Sequence, residues 1–349
     1  MLTPEQISSI RERLLESQNP LFLFDNDTDG LVSFLLLRRF IDRGKGFPVK
    51  SFPELNTTYS RKLDEFNPDC LFILDKALVS PDFLDMARQK NIPVVWIDHH
   101  DVTPPSNLEG VEYYNPLQNS KNPSSEPTTY WCWLVTKRKE DMWLAMVGCL
   151  ADAYLPDFSS DLHAQYPDYW REVSNASEGR YKTQIGKIGM IFSFGLKDKT
   201  TNVISSIKFL CAVKSPSDVF QESGANTVLD RYSFINGKYQ QLISKAKSSV
   251  PEDGIVYFQY GGDMSMSADI SDELFHHFPD KVILVCYIMG AKANISIRSK
   301  TAVLKAATDA IKEIDGATGG GHKNAVGSSM PAEDVLRFKK LFAENLKKK

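Results

Sequence analysis

The chain has 349 residues, 42% of them hydrophobic and 24% charged, with a formal net charge of −3; that is apolar mass for a sizeable core and more length than one domain usually takes, so two domains are expected. Its five cysteines, Cys70, Cys132, Cys149, Cys211 and Cys286, form no CxxC pair, which argues against a disulfide framework or a thiolate zinc site and for a reducing compartment. The longest apolar run, about Leu31 to Leu37, stops at Arg38 and Arg39, short of a membrane span, so a soluble cytoplasmic protein with no membrane partner is expected.

Thr3-Pro4-Glu5-Gln6 offers an N-cap, a proline at the first helical position and a glutamine at N3, predicting a helix to about Glu16. Then follow a strand at Leu21 to Phe24, a helix from about Gly30 to Asp42, a strand near Val49 to Phe52 and a helix near Ser60 to Glu65. A strand at Cys70 to Leu74, a helix at Pro81 to Lys90 and a strand at Pro93 to Ile97 continue the alternation. The runs PLFLF, CLFILD and VVWID are continuously apolar, as strands covered on both faces are, so the N-terminal half reads as an α/β domain with a doubly wound, mainly parallel sheet. Beyond a Pro/Asn/Ser-rich loop at Asn115 to Pro127, helices are predicted at Thr128 to Lys137, Met142 to Tyr154 and Leu162 to Val173.

Residues 176–250 read as a helical connector between a first domain, 1–175, and a smaller α/β domain, 251–349. The latter is expected to run strand (Ile255 to Tyr260), helix (Ser271 to Phe278), strand (Val282 to Met289), strand (Ala293 to Arg298), helix (Ala302 to Ile314), glycine-rich loop, strand and final helix. Charge is uneven: 17 basic and 26 acidic residues lie in 1–175, 11 and 5 in 176–250, and 13 and 13 in the rest. An acidic lobe followed by a basic connector suits a cation-loaded site beside a phosphate-binding surface, and equally suits solvated helix faces.

Four acidic motifs fall at or just past the C-terminal ends of elements, where open parallel sheets collect ligands. Asp25-Asn26-Asp27-Thr28-Asp29-Gly30 sets three carboxylates at alternate positions, a repulsion best relieved by a divalent cation, although an Asp-rich turn capping a helix would look similar. Asp75 ends the next strand. Asp98-His99-His100-Asp101 follows VVWI and offers imidazoles flanked by carboxylates, a donor set suited to manganese, zinc or cobalt. Asp152 sits in an otherwise apolar helix, where an unmet charge is costly. His276-His277, with no aspartate before it, is read as a helix-end pair without a role.

In this order, Asp27, Asp29, Asp75, His99 and Asp152 resemble the DHH phosphoesterase superfamily, which includes RecJ single-strand exonucleases, nanoRNases, cyclic-dinucleotide phosphodiesterases and family II pyrophosphatases. Asn294 to Ser299 and Thr318 to Gly327 look like the arginine strand and GGGH loop of the C-terminal domain accompanying DHH in the RecJ and nanoRNase branch. One departure is Lys76, after Asp75, where a small residue is expected.

The resemblance implies two divalent cations, manganese first with magnesium or cobalt as alternatives. One would be held by Asp25, Asp27 and Asp75, the other by Asp29, Asp75, His99 and Asp152. Asp98 would orient a histidine, His100 would contact the scissile phosphate, and Arg298, Gly319, Gly320, Gly321 and His322 would bind substrate. The expected activity is a RecJ-like exonuclease or short-oligonucleotide hydrolase acting on single-stranded nucleic acid. Alternatives are hydrolysis of a small phosphate compound, such as a cyclic dinucleotide or nucleoside bisphosphate, and a catalytically silent scaffold in a replication or repair assembly. A helicase or replication partner and a homodimer are further expectations. Tyr232, Phe234 and Tyr239 are candidates for stacking on bases, with core packing as the plainer assignment.

Overall fold

The Thr3 hydroxyl accepts from Gln6 N and the Gln6 side chain accepts in return from Thr3 N, closing a capping box on α1 (Pro4–Glu16). The computed structural model describes residues 1–51, 54–119, 123–221 and 225–348. The chain divides into two units, Met1–Ser233 and Phe234–Lys349.

In the first unit β1 (Pro20–Asp25), β2 (Lys45–Val49), β3 (Cys70–Leu74), β4 (Val94–Ile97) and β5 (Val111–Tyr114) form one parallel sheet in the order β2-β1-β3-β4-β5. Side chains alternate between two cores. Phe22, Phe24, Phe72 and Ile97 belong to one; Leu21, Leu23, Ile73 and Trp96 belong to the other. The continuous apolar runs therefore reflect cover on both faces. One core is completed by α1, α2 (Thr28–Ile41), α5 (Thr128–Thr136) and α6 (Met142–Ala151); the other by α3 (Ser60–Phe66) and α4 (Pro81–Gln89).

The segment after α6 is helical: α7 (Ser159–Gln165), α8 (Ala176–Lys182), α9 (Gln184–Leu196), α10 (Thr200–Ala212), α11 (Asp218–Gln221) and α12 (Ala225–Lys247). Ile185, Ile188, Phe192, Val203 and Val228 pack into the first unit's core. No helix among the described residues is long and apolar enough to cross a membrane.

The second unit is a mixed sheet of β6 (Ile255–Gly261), β7 (Val282–Met289), β8 (Lys292–Arg298), β9 (Thr318–His322) and β10 (Ala325–Pro331), ordered β6-β7-β8-β10-β9. Only the β6–β7 pairing is parallel. Helices α14 (Leu304–Lys312) and α15 (Val335–Lys347) pack against it with Ala307, Ile311, Phe338 and Phe342, and α13 (Ser267–His277) packs on β7 and β8.

Several boundaries differ from expectation. The second strand ends at Val49 rather than beginning there; of its expected span, Phe52 lies outside the described residues. β5 is an additional strand, its VEYY pattern too short and too polar to stand out. The helix expected at Leu162 to Val173 is the shorter Ser159–Gln165. The glycine-rich segment is no loop but an edge strand, β9, paired with β10.

Candidate metal centre

The strand order reverses at β1, so the crevice of the first sheet opens at the C-terminal ends of β1 and β3, where the acidic motifs sit. Asp25 is the last residue of β1, and Asp27 caps α2 by accepting from Gly30 N at 2.9 Å. Gly30 is obligatory here. A Cβ on it would lie 2.5 Å from Asp25 O and 2.8 Å from Asp25 N, so only glycine lets the helix start this close to the strand end.

Asp29 is buried one residue into α2. Its carboxylate accepts from the backbone N–H groups of Thr128 and Thr129, at 3.0 and 2.7 Å, where the positive end of α5 points at it. Asp75 follows β3 with a left-handed φ of 59° and is buried, accepting from Thr128 Oγ1 at 3.1 Å. The two carboxylates are thus fixed on one threonine pair. α6 approaches that pair closely, because Gly148 leaves no side chain to collide with Thr129.

His99 Nε2 lies 3.4 Å from Asp75 Oδ1, 3.4 Å from Asp152 Oδ2 and 3.8 Å from Asp29 Oδ2. On the other side of the ring, Nδ1 is 3.4 Å from Ser125 O, so Nδ1–H donating there leaves the Nε2 lone pair toward the carboxylates. Asp152 is not within the apolar helix as expected: it lies just past the end of α6, with its side chain 36% exposed. Its charge therefore keeps solvent on one side.

Asp98, fully buried, accepts from His100 N at 3.1 Å and faces His100 Nδ1 at 2.7 Å; Asn115 Nδ2 supports both through Asp98 Oδ2 and His100 O. Asp98 also groups with Asp75 and His100 as side chains whose ligand atoms come within 4.8 Å of one another.

The electrostatics are those of a centre short of positive charge. Loss of water raises Asp27 to about 7, reinforced by Asp25, Asp29 and Asp152 and opposed by the Gly30 N–H, even though part of the residue remains exposed. Asp29 is raised by burial and by Asp152, and Asp75 well above the carboxylate range by burial and then by Asp29 and Asp27. Burial opposes protonation of His100, but the hydrogen bond and charge of Asp98, with Asp152 and Asp27 behind, outweigh it and lift the imidazole to about 9. Buried carboxylates and an oriented imidazole form a donor set that fits a hard or borderline divalent cation.

Sequence reasoning did not foresee what Lys76 does. Its Nζ, nearly fully buried, lies 2.8 Å from Asp25 Oδ1 and 3.1 Å from Ser51 O, so Asp25 is ion-paired, and among the described residues it joins no group of convergent ligand atoms. Nor did it foresee a cavity of about 470 Å3 past the end of β2, lined by Phe47, Pro48, Lys50, Ser51, Thr58, Tyr59, Arg61, Lys62 and Thr200. Lys62 lies over the Phe47 ring at 4.4 Å. Ser51 joins the cavity to Lys76.

In the second unit the sheet register sets Arg298 opposite Ala325 and Ala325 opposite His322, bringing the arginine strand and β9 to one end of the sheet. Arg298 Nε donates to Asp272 Oδ1 at 2.6 Å. β9 is the last strand, so one row of its backbone N–H groups faces away from β10, and Gly319, Gly320 and Gly321 leave that row uncrowded by side chains. Of the stacking candidates, Tyr239 is buried and donates to Glu273, Tyr232 packs on Phe194, and Phe234 is exposed beneath Lys238 Nζ. His276 and His277 close α13, as expected of a helix-end pair.

Two family models match the sequence, the DHH family N-terminal domain over residues 21–153 and the DHHA1 domain over residues 252–348. The chain belongs to the DHH superfamily and carries the C-terminal DHHA1 domain. No curated protein matches it in sequence. Among solved structures it is similar to RecJ from Thermus thermophilus in complex with Mn2+, with a TM-score of 0.67 and 15% identity over 99% of this chain and 55% of that one. The chain thus spans about half the length of that RecJ. It is also similar to a pGpG-specific phosphodiesterase from Vibrio cholerae (TM-score 0.53, 12% identity, 94% of this chain and 99% of that one). CDC45 from Entamoeba histolytica matches at a TM-score of 0.50 and 10% identity over 98% of each chain. At these identities the likeness is one of fold.

Proposed function

We propose that the protein is a metal-dependent phosphodiesterase that hydrolyses single-stranded nucleic acid or short oligonucleotides, with residues 1–175 carrying the chemistry and 251–349 holding substrate. The observation that carries this reading is the convergence of Asp29, Asp75 and Asp152 on His99 Nε2, beside a His100 imidazole held by Asp98. Fold neighbours described as a manganese-bound RecJ and a pGpG-specific phosphodiesterase support it.

Asp29, Asp75, His99 and Asp152 would hold the cation, with manganese as the first candidate and magnesium or cobalt as alternatives. A cation bound there supplies Lewis acidity to a phosphoryl oxygen and activates water for attack. His100, cationic at neutral pH because Asp98 holds it so, turns Nε2 away from Asp98 and donates from it to a phosphate oxygen as negative charge builds. Asp98 keeps that ring in place. Lys50, Arg61 and Lys62 in the cavity beyond β2 attract the phosphates of a strand, and Tyr59 offers a ring for one of its bases. Arg298, His322 and the open edge of Gly319 to Gly321 receive a terminal phosphate.

The test is hydrolysis of end-labelled RNA and DNA, from dinucleotides to long single strands, with Mn2+ and after chelation, for the wild type beside His99→Ala. Cleavage is expected to need the metal and to fall more than about 100-fold in the variant, beyond the cost of losing a group that merely orients a ligand. Cleavage confined to the shortest oligomers would make the protein an oligonucleotide scavenger. If Mn2+-loaded protein cuts no phosphodiester, the scaffold reading takes its place.

A further inference from the structure

We propose that the Lys76 ammonium group stands where one of the two expected cations would sit, so that this protein binds a single divalent ion, at Asp29, Asp75, His99 and Asp152. The family pattern calls for Asp25 and Asp27 to share an ion with Asp75. Here Lys76 Nζ is 2.8 Å from Asp25 Oδ1 and 3.1 Å from Ser51 O, with the lysine side chain 5% exposed.

A metal ion on that oxygen would need an oxygen-to-ion distance of about 2.1 Å, with the ammonium beside it. Two cations that close, with the ammonium sharing the same carboxylate, repel each other. Nor can the lysine simply swing away. Asp75 turns the chain with a left-handed φ of 59°, and the Lys76 carbonyl is held by Trp96 Nε1–H at 2.8 Å, which fixes the direction in which the side chain leaves the backbone. Moving the ammonium off Asp25 would leave a buried charge unpaired, among the more costly changes a protein can undergo.

The ligand geometry agrees as far as Asp25 and Asp27 are concerned. His99 lies with Asp29 and Asp152 as a group of ligand atoms within 4.8 Å of one another, and Asp75 Oδ1 is 3.4 Å from His99 Nε2. Among the described residues no such group includes Asp25 or Asp27. Lys76 therefore supplies fixed positive charge to the crevice but no coordination position, and the reaction must proceed with one ion, this charge and His100.

The inference rests on the phosphodiesterase reading only for the ion's purpose, and its test does not measure turnover. Stripped protein is titrated with Mn2+ to saturation, the ions bound per chain are counted, and the EPR spectrum is recorded. The wild type is expected to bind one ion with the spectrum of isolated manganese, and Lys76→Ala to bind two with the spectrum of a spin-coupled pair. Two ions in the wild type would overturn the proposal, and so would a folded Lys76→Ala that still binds one. If Lys76→Ala does not fold, the wild-type count decides alone. One ion in a wild type that cleaves nothing would defeat the functional reading and leave this inference standing; two ions in an active wild type would do the reverse.

Discussion

At the scale of single residues, the pairing of His100 with Asp98 decides what the site can do near neutral pH. An isolated imidazole is mostly neutral there and a weak donor to phosphate. Burial would make it weaker still, yet the charge of Asp98 at 2.7 Å, with Asp152 and Asp27 behind, carries His100 from 6.5 to about 9. Asp98→Asn removes the largest of the favourable contributions while keeping the shape, so burial should then prevail and His100 should lose its proton at lower pH. Histidine NMR of the metal-free protein is expected to show His100 protonated through pH 8 in the wild type and titrating well below that in Asp98→Asn. A His100 resonance that does not move between the two would mean that Asp98 only fills space.

At the scale of elements, the site exists because β1 and α2 are joined almost without a loop. Asp25 ends the strand, Asp27 caps the helix, and Gly30 makes room for Asp25. Gly30→Ala would force the Cβ into backbone atoms that cannot give way, so a loss of roughly 1 to 3 kcal/mol is expected, as for overpacked sites, measured by urea unfolding. An unchanged midpoint would show that the helix can slide. Elements of this kind were legible in the sequence: Thr3 and Gln6 announce a capping box, CLFIL is bounded by polar residues on both sides, and the acidic motifs mark strand ends. The edges of the sheets were not. β2 reads KGFPV, with a glycine and a proline, and takes its strand form from pairing with β1. TGGGH carries no strand propensity and becomes β9 because β10 supplies the hydrogen bonds. Lys76 could be seen as an anomaly, but its partner lies 51 residues away, a contact set by the order of strands and not by local pattern.

For the whole molecule, charge is where reading by segment misleads. Counting placed the basic excess in 176–250, yet Lys50, Arg61 and Lys62 gather round one cavity inside the segment whose sum is −9. A sum over residues weighs the buried carboxylates of the candidate metal centre equally with the cations that line the cavity, although the first suit an ion and the second suit phosphates. The cavity also has what the charge alone lacks for a single strand, the aromatic ring of Tyr59. If a strand passes here, Lys50→Glu with Arg61→Glu should weaken binding of an oligothymidylate and flatten its salt dependence. The slope of log K against log salt is expected to fall by about 0.7 for each phosphate that the protein no longer neutralises. Mn2+ binding should be unchanged, since neither residue touches the His99 group. Weaker binding with an unaltered salt slope would mean that the reversals disturbed the fold of the cavity, and a strand would then have to reach the metal centre by another route.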